Sequence, residues 1–278
     1  MIIKPKKLIG LILLHTFLIS VALSCICPLF WMINASFKTN EEFRNDYGLE
    51  LAHEFNGDNY KRAIFDGGLG TYFLNSVFYT FITVFFIVIF SSLAAFAFSR
   101  LQFPGKNIIF FIFLTAMMIP LPAGFVPVYI LLNKLHLANR IGYVMAMTNM
   151  GLSLSIYLLK TFFDQLPRDL EDAARIDGCS KLKIWWHVGM PLVAPALAVV
   201  IIVNSLTVWN EFVLASLMFT NAKLMPVQVG LMEFYNKNVI DHTLLMASLA
   251  IAALPIVTIY IIMQKHIIKG ITAGAMVG

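Results

Sequence analysis

Six stretches of the chain are apolar for long enough to cross a bilayer, and charges, prolines and glycines mark their ends. They run from Leu8 to Ile33, Thr71 to Phe98, Asn107 to Leu132, Ile141 to Phe162, Leu192 to Phe219 and Thr243 to Ile262. A spanning helix needs ~20 mostly apolar residues, so each stretch predicts one crossing, with tilt absorbing the surplus. Lipid offers backbone groups no hydrogen-bond partner, and no segment alternates with the about ten-residue rhythm of a membrane barrel. The expected fold class is therefore all-α, with six transmembrane helices.

The first stretch follows Lys4, Lys6 and Lys7, as a signal peptide would. Its apolar run is too long for a signal core and lacks a small-residue cleavage pattern, so it reads as a retained helix. Lysine and arginine placement sets the orientation. With the N-terminus inside, the inner segments hold twelve basic residues and the outer segments eight, four of these within Ser36–Gly70. Both termini are expected in the cytoplasm. The expected organisation is a cytoplasmic N-terminus (1–7), a first span (8–33), an extracellular loop (34–70), a core helical region (71–266) containing a loop at 163–190, and a cytoplasmic tail (267–278).

Composition agrees: 59% of the 278 residues are hydrophobic and 13% charged, about half the charge of a soluble domain. The net charge of +5 follows from the inward bias of the basic residues and gives no reason to expect nucleic acid. Cys25 and Cys27 lie two apart on one predicted helix and Cys179 in a loop, so neither a disulfide framework nor a metal site is expected.

Two loops exceed the usual length and so invite a function. Ser36–Gly70 carries seven acidic residues against four basic ones, which suits either a docking surface or a solvated cap. Phe163–Pro191 contains the signals of two short helices. Pro167 fits a first helical position, Asp169, Glu171 and Asp172 complement the helix N-terminus, and Gly178 suits the terminating residue. The first helix is predicted over Pro167–Asp177. Ser180 is placed to cap a second helix carrying Ile184, Trp185 and Val188 up to Pro191. The expected product is a helical elbow outside the membrane. Ala173 and Ala174 let another surface approach closely, while Asp172, Arg175 and Asp177 fix its register. An amphipathic connector lying at the headgroups is the alternative, suited by Trp185, Trp186, Lys181 and Lys183.

The motif narrows the choice. Asp172-Ala173-Ala174, three residues, Gly178, nine residues and Val188-Gly189-Met190-Pro191 resembles the cytoplasmic signature of ABC importer permeases: EAA, three residues, Gly, nine residues, I-x-L-P. Asp172 replaces Glu, Val188 replaces Ile and Met190 replaces Leu. The surrounding text is similar to the carbohydrate-uptake branch, in particular the maltose-type second permease subunit. Asn75-Ser76, Ile119-Pro120, Pro127-Val128-Tyr129, Trp209-Asn210-Glu211-Phe212 and the tail from Lys269 to Ala275 extend the resemblance along nearly the whole chain.

The resemblance implies a prokaryotic multi-pass membrane subunit that forms a heterodimer with a homologous permease. It also implies two ATPase subunits carrying ATP and Mg, and an extracellular solute-binding protein that delivers a sugar. Glu171, Asp172, Ala173, Ala174, Arg175, Asp177, Gly178 and Pro191 are then the ATPase-coupling residues. The chain has no Gly-x-x-x-x-Gly-Lys-Ser/Thr loop of its own, so no cofactor is expected on it and no enzymatic activity. A polyol or glycerol phosphate is the alternative cargo.

Candidates for the substrate path are fewer. Pro120, Pro122, Gly124 and Pro127 interrupt the third stretch, and broken helices in transporters line cavities or pack as kinks. Glu211 is the lone acidic residue in an assigned span, ~29 Å up a continuous helix from Leu192, near the outer interface. Asn75, Pro120, Asn210 and Glu211 are the substrate-path candidates, while Asn149 is expected to make helix contacts. An intramembrane enzyme would need clustered catalytic groups that the spans lack. An ion-driven transporter would need more intramembrane carboxylates.

Overall fold

A computed structural model describes residues 5–236 and 241–275, and the side chains of 10–120, 122–232 and 241–262. Lys4 and Lys237, the side chains of Lys6, Lys7, Lys265 and Lys269, and the end of the expected tail lie outside this. Every regular element among the described residues is helical.

Four helices are long and apolar enough to span a membrane: α1 (Pro5–Ser36), α4 (Leu69–Arg100), α7 (Arg140–Gln165) and α14 (His242–Ala275). They contain the first, second, fourth and sixth predicted stretches. The other two stretches are not continuous helices. Asn107–Leu132 divides into α5 (Lys106–Ala116) and α6 (Leu121–Lys134), because Pro120 stands in extended conformation with ψ 126° and neither it nor Pro122 supplies an N–H to the ladder. Pro127, by contrast, is accommodated inside α6. Leu192–Phe219 divides into α11 (Ala194–Trp209) and α12 (Val213–Met218), separated by Asn210, Glu211 and Phe212. α11 is preceded at an 80° bend by the segment Lys181–Leu192, and the two count together as a fifth candidate span.

The chain forms two compact units. One comprises the residues up to Gly70 together with Leu231–Ala253. In it, α1 leads into α2 (Asn40–Asp46) and α3 (Asp58–Lys61), followed by a wide turn over Arg62–Asp66. Thr39 closes the N-terminus of α2 reciprocally with Glu42, satisfying two otherwise orphaned N–H groups. Lys38, fully buried, pairs with Asp46, and Arg62 pairs with Asp241 at 2.8 Å. Buried Asn59 donates to the carbonyls of Ser36 and Lys38. The long polar segment is thus folded rather than a loose loop.

The second unit comprises Thr71–Gly230 and the chain from Leu254 onward. Its core joins Ile87, Ala95 and Phe96 of α4, Leu159 and Phe163 of α7, and Val193, Ala196 and Val200 around α11. α7 approaches α4 and α11 closely at Gly151, where a Cβ would lie 2.4 Å from both Asn204 Oδ1 and Ile87 Cδ1. A side chain there would force the buried ends of Asn204 and Ile87 to shift.

Candidate functional site: the elbow and the cavity

The elbow between α7 and α11 is built as two short helices around one glycine. α8 spans Asp169–Ile176 and so is shorter than the predicted Pro167–Asp177: Pro167 stays outside it and Arg168 takes the capping position. Gly178 has φ +78°. Its N–H donates to the Arg175 carbonyl, and the Cys179 N–H donates to the Ala174 carbonyl, both at 3.0 Å. These paired bonds satisfy the last carbonyls of α8 and require the left-handed conformation that glycine adopts without a Cβ penalty.

Ser180 then accepts from the Lys183 N–H and opens α9 (Lys181–Ile184). A wide turn over Trp185–Gly189 follows, and α10 (Met190–Leu192) carries Pro191. Ile184 and Trp185 are buried in the core beside Phe163 and Phe96, and burying each such side chain stabilises by ~1.5–3 kcal/mol. The second helix is therefore plugged into the protein. Trp186, on the other side, is exposed.

α8 turns the opposite way. Asp172, Ala173, Arg175, Asp177 and Gly178 are exposed, and Ile176 is 87% exposed. Asp172 and Arg175 pair with each other at 3.0 Å. The result is a knob with a small-residue face, one protruding aliphatic side chain and charges around it. Glu171 departs from the rest of the set. Its side chain is buried and pairs with Arg100 at the end of α4 at 2.5 Å, and Arg100 also donates to the Leu166 carbonyl at 2.7 Å.

The substrate-path candidates fall in different places. Asn75 is buried: its amide donates to the carbonyls of Lys223 and Met225 at 3.0 Å and accepts from Arg140 at 3.0 Å. With Tyr79, which donates to the Leu224 carbonyl, and Ser76, which accepts from the Val227 N–H, it pins the returning chain after α12. Glu211 is also buried, taking the hydroxyl of Tyr143 at 3.0 Å and the N–H groups of Leu214 and Ala215 at 2.6 and 3.0 Å. It caps α12. Because the helix stops at Trp209, the depth expected for Glu211 from a continuous helix does not apply. Asn210 is exposed and bonds back to the Leu206 carbonyl.

Of the four candidates, Pro120 lines a cavity beside the broken helix. About 540 Å³ in volume, this cavity lies among α5, α6, α7 and α11, against the break between α5 and α6. Asn149, Ser153, Asn204 and Thr207 give it polar groups among the apolar side chains. Their spacing in the sequence carries the signal that could have found them. Asn149 and Ser153 are four apart on α7, Asn204 and Thr207 three apart on α11, and such spacings share a helix face. Asn204 is already committed to Ser155 and the Val200 carbonyl, whereas Asn149, expected to contact a neighbouring helix, is exposed. A second groove of about 560 Å³, along α4 and α7, is lined by Phe78, Phe86, Phe90 and Val144 and is almost wholly apolar. Its chemistry suits hydrocarbon or another helix, not a hydrophilic solute.

An apolar helical protein with a polar-lined cavity at broken helices and an exposed helical knob is, by class, a membrane transport component. It belongs to the binding-protein-dependent transport system inner membrane components, whose family pattern matches residues 87–273. The chain is 34% identical to a putative ABC transporter permease from Caldicellulosiruptor sp. strain Rt8B.4, over 90% of this chain and 91% of that one. It is 33% identical to AmyC of Thermoanaerobacterium thermosulfurigenes, named as a probable permease for starch degradation products, over 95% and 96%. It is 32% identical to the trehalose/maltose permease MalG of Thermococcus litoralis, over 98% and 99%. Its fold matches a chain of a bacterial ABC transporter involved in alginate import with a TM-score of 0.86 at 24% identity, covering 95% of this chain and 99% of that one. The protein is thus an inner-membrane permease subunit of a binding-protein-dependent ABC importer. It is a non-enzymatic component that works with partner subunits and a binding protein.

Proposed function

We propose that this chain is one of two homologous permease subunits of an importer for a mono- or oligosaccharide. Two ATPase subunits, which bind the ATP and Mg, dock on the elbow over residues 167–178, and an extracellular solute-binding protein delivers the sugar. In this reading the chain crosses the membrane six times with both termini in the cytoplasm. The α5–α6 pair forms the third crossing, and the 163–190 elbow faces the cytoplasm. Closure of the ATPases around ATP moves the elbows, and the two permeases rock so that a cavity near the midplane opens alternately to each side.

The observation that carries this reading is the exposed face of α8. α8 presents Ala173 and the protruding Ile176 to solvent, a small apolar surface that a partner can cover closely, and its charged border gives the contact one register. The sugar assignment draws on the printed cargo of the relatives: starch degradation products, trehalose and maltose, and arabinooligosaccharides. The cavity supplies hydrogen-bonding amide and hydroxyl groups, the chemistry a polyhydroxylated solute needs. In the wider family a sulfoquinovosyl glycerol permease of Agrobacterium fabrum is 28% identical, so a glycerol-containing cargo is the second reading.

The test is to solubilise the tagged chain from its native membrane and identify by mass spectrometry what stays bound. Recovery of a second permease and an ATPase supports the proposal, and the associated binding protein is then titrated with sugars and glycerol derivatives. Solute transport by the purified chain alone would overturn it.

A further inference from the structure

The residue of the elbow that does not face outward is the informative one. Glu171 lies on α8 beside Asp172, yet its side chain is 10% exposed where that of Asp172 is 59% exposed. It is directed at Arg100, whose side chain is 5% exposed. Arg100 is the last residue of α4, the 32-residue helix whose Ile87, Ala95 and Phe96 form part of the core. The same guanidinium holds the Leu166 carbonyl, just after α7 ends. One residue earlier, Ser99 donates to Asp164 at 2.6 Å, and Asp164 pairs with Lys160 at 2.6 Å. The end of α4 is therefore fastened to the end of α7 and, through Glu171, to the inner side of α8.

From this we infer that Arg100 and Glu171 form a strut that makes α8 and α4 move as one body, so Glu171 is a positioning residue and not an ATPase contact. Without the strut, α8 is joined to the rest of the chain by two non-helical connections. One is Leu166–Arg168, where the chain is extended at Leu166 with ψ 135°; the other is the left-handed turn at Gly178. Force applied to the exposed face would then tilt α8 instead of displacing α4. A hydrophobic contact would resist this poorly, since the inner face of this eight-residue helix contributes only Ala174 to the core cluster. A buried ion pair whose guanidinium is also held by the Leu166 carbonyl sets the spacing between the two helix ends.

The inference rests on α8 being the ATPase contact. The assembled transporter, reconstituted in liposomes with its ATPase and binding protein, is compared as wild type, Glu171→Gln, Arg100→Lys, and a double variant Arg100→Met with Glu171→Leu. The readout is the ratio of solute taken up to ATP hydrolysed. For the strut we expect each variant to retain the ATPase while this ratio falls about tenfold. Glu171→Gln strands the Arg100 charge and lowers the yield of complex. The double variant removes both charges and restores yield but not the ratio, since an apolar pair packs without fixing orientation.

An unchanged ratio in the complexes that do assemble, however few, would make the pair part of the fold only and overturn the strut. Loss of the ATPase from Glu171→Gln with its retention in Arg100→Lys would make Glu171 a direct contact and overturn it equally. A wild-type complex that retains no ATPase would instead defeat the underlying reading of α8.

Discussion

Tyr143 of α7 donates its hydroxyl to the Glu211 carboxylate at 3.0 Å in a buried site. The same carboxylate receives the first N–H groups of α12, so one acidic group ties α7 to the start of α12. Glu211→Ala removes an acceptor from three donors and leaves them buried, at about 1–3 kcal/mol for a single unsatisfied group. The thermal transition in detergent should fall clearly in this variant and much less in Glu211→Gln, which keeps an acceptor oxygen. Equal transitions for the two would show that α12 does not depend on this cap.

Gly178 has open space around its missing Cβ, so a substitution there is opposed by backbone conformation alone. Gly178→Val should disfavour the left-handed turn by roughly 1 kcal/mol or more and uncouple transport, while the protein still inserts. Gly178→Asn should be milder, because Asn tolerates that region. Uptake in whole cells, normalised to membrane-inserted protein, checks the order: wild type, Asn, Val.

Gly151 presents the opposite case. Its φ is unremarkable, yet a Cβ would collide with Asn204 and Ile87. Gly151→Val should push α7 from α4 and α11 and cost about 1–3 kcal/mol as an overpacked core does. The loss appears as reduced yield of folded protein, and Asn204→Ala in the same chain should recover part of it by clearing one of the two colliding atoms.

In the 36–66 segment, the Lys38 ammonium beside Asp46 holds its carboxyl below the usual 3.8. At Asp241 burial works upward, but the Leu244 N–H and the Arg62 guanidinium outweigh it and hold the carboxyl low. A carboxyl with a depressed folded pKa contributes stability above its unfolded pKa of about 4 and loses it as pH falls through the folded value. The segment should thus be at full strength at neutral pH and loosen only below about pH 4. Amide exchange across residues 40–66, corrected for intrinsic rates, should accelerate there in the wild type. Asp46→Asn should exchange faster already at neutral pH and change less on acidification.

Asn149 tests the cavity separately from the machinery that drives it. If its amide meets the solute, Asn149→Ala should weaken uptake about twofold to tenfold, the range of one lost hydrogen bond to a neutral group. Binding-protein-stimulated ATP hydrolysis should persist. A variant with normal uptake would move the solute path elsewhere.

The elbow was readable in sequence because its signals are local. Gly178 must end a helix wherever it lies, Ser180 can cap only the next one, and the spacing from Asp172 to Pro191 is a property of the chain. The breaks were half readable: Pro120 and Pro122 announce one, since a missing N–H is missing in any fold. Glu211 announces nothing, because its capping of α12 needs Tyr143, 68 positions away, to complete the site. Asn75 likewise read as a lone polar residue until the chain at Lys223–Met225 was brought back to it.

The sequence by itself determined an apolar, all-helical chain with an exposed elbow, because hydropathy, caps and turns act within a few residues of their cause. Only the tertiary structure decided which way each elbow side chain faces. Glu171 and Asp172 are adjacent acids on one helix, about 100° apart around its axis. The burial of Arg100 at the end of α4 turns one of them into an internal tie and leaves the other in solvent.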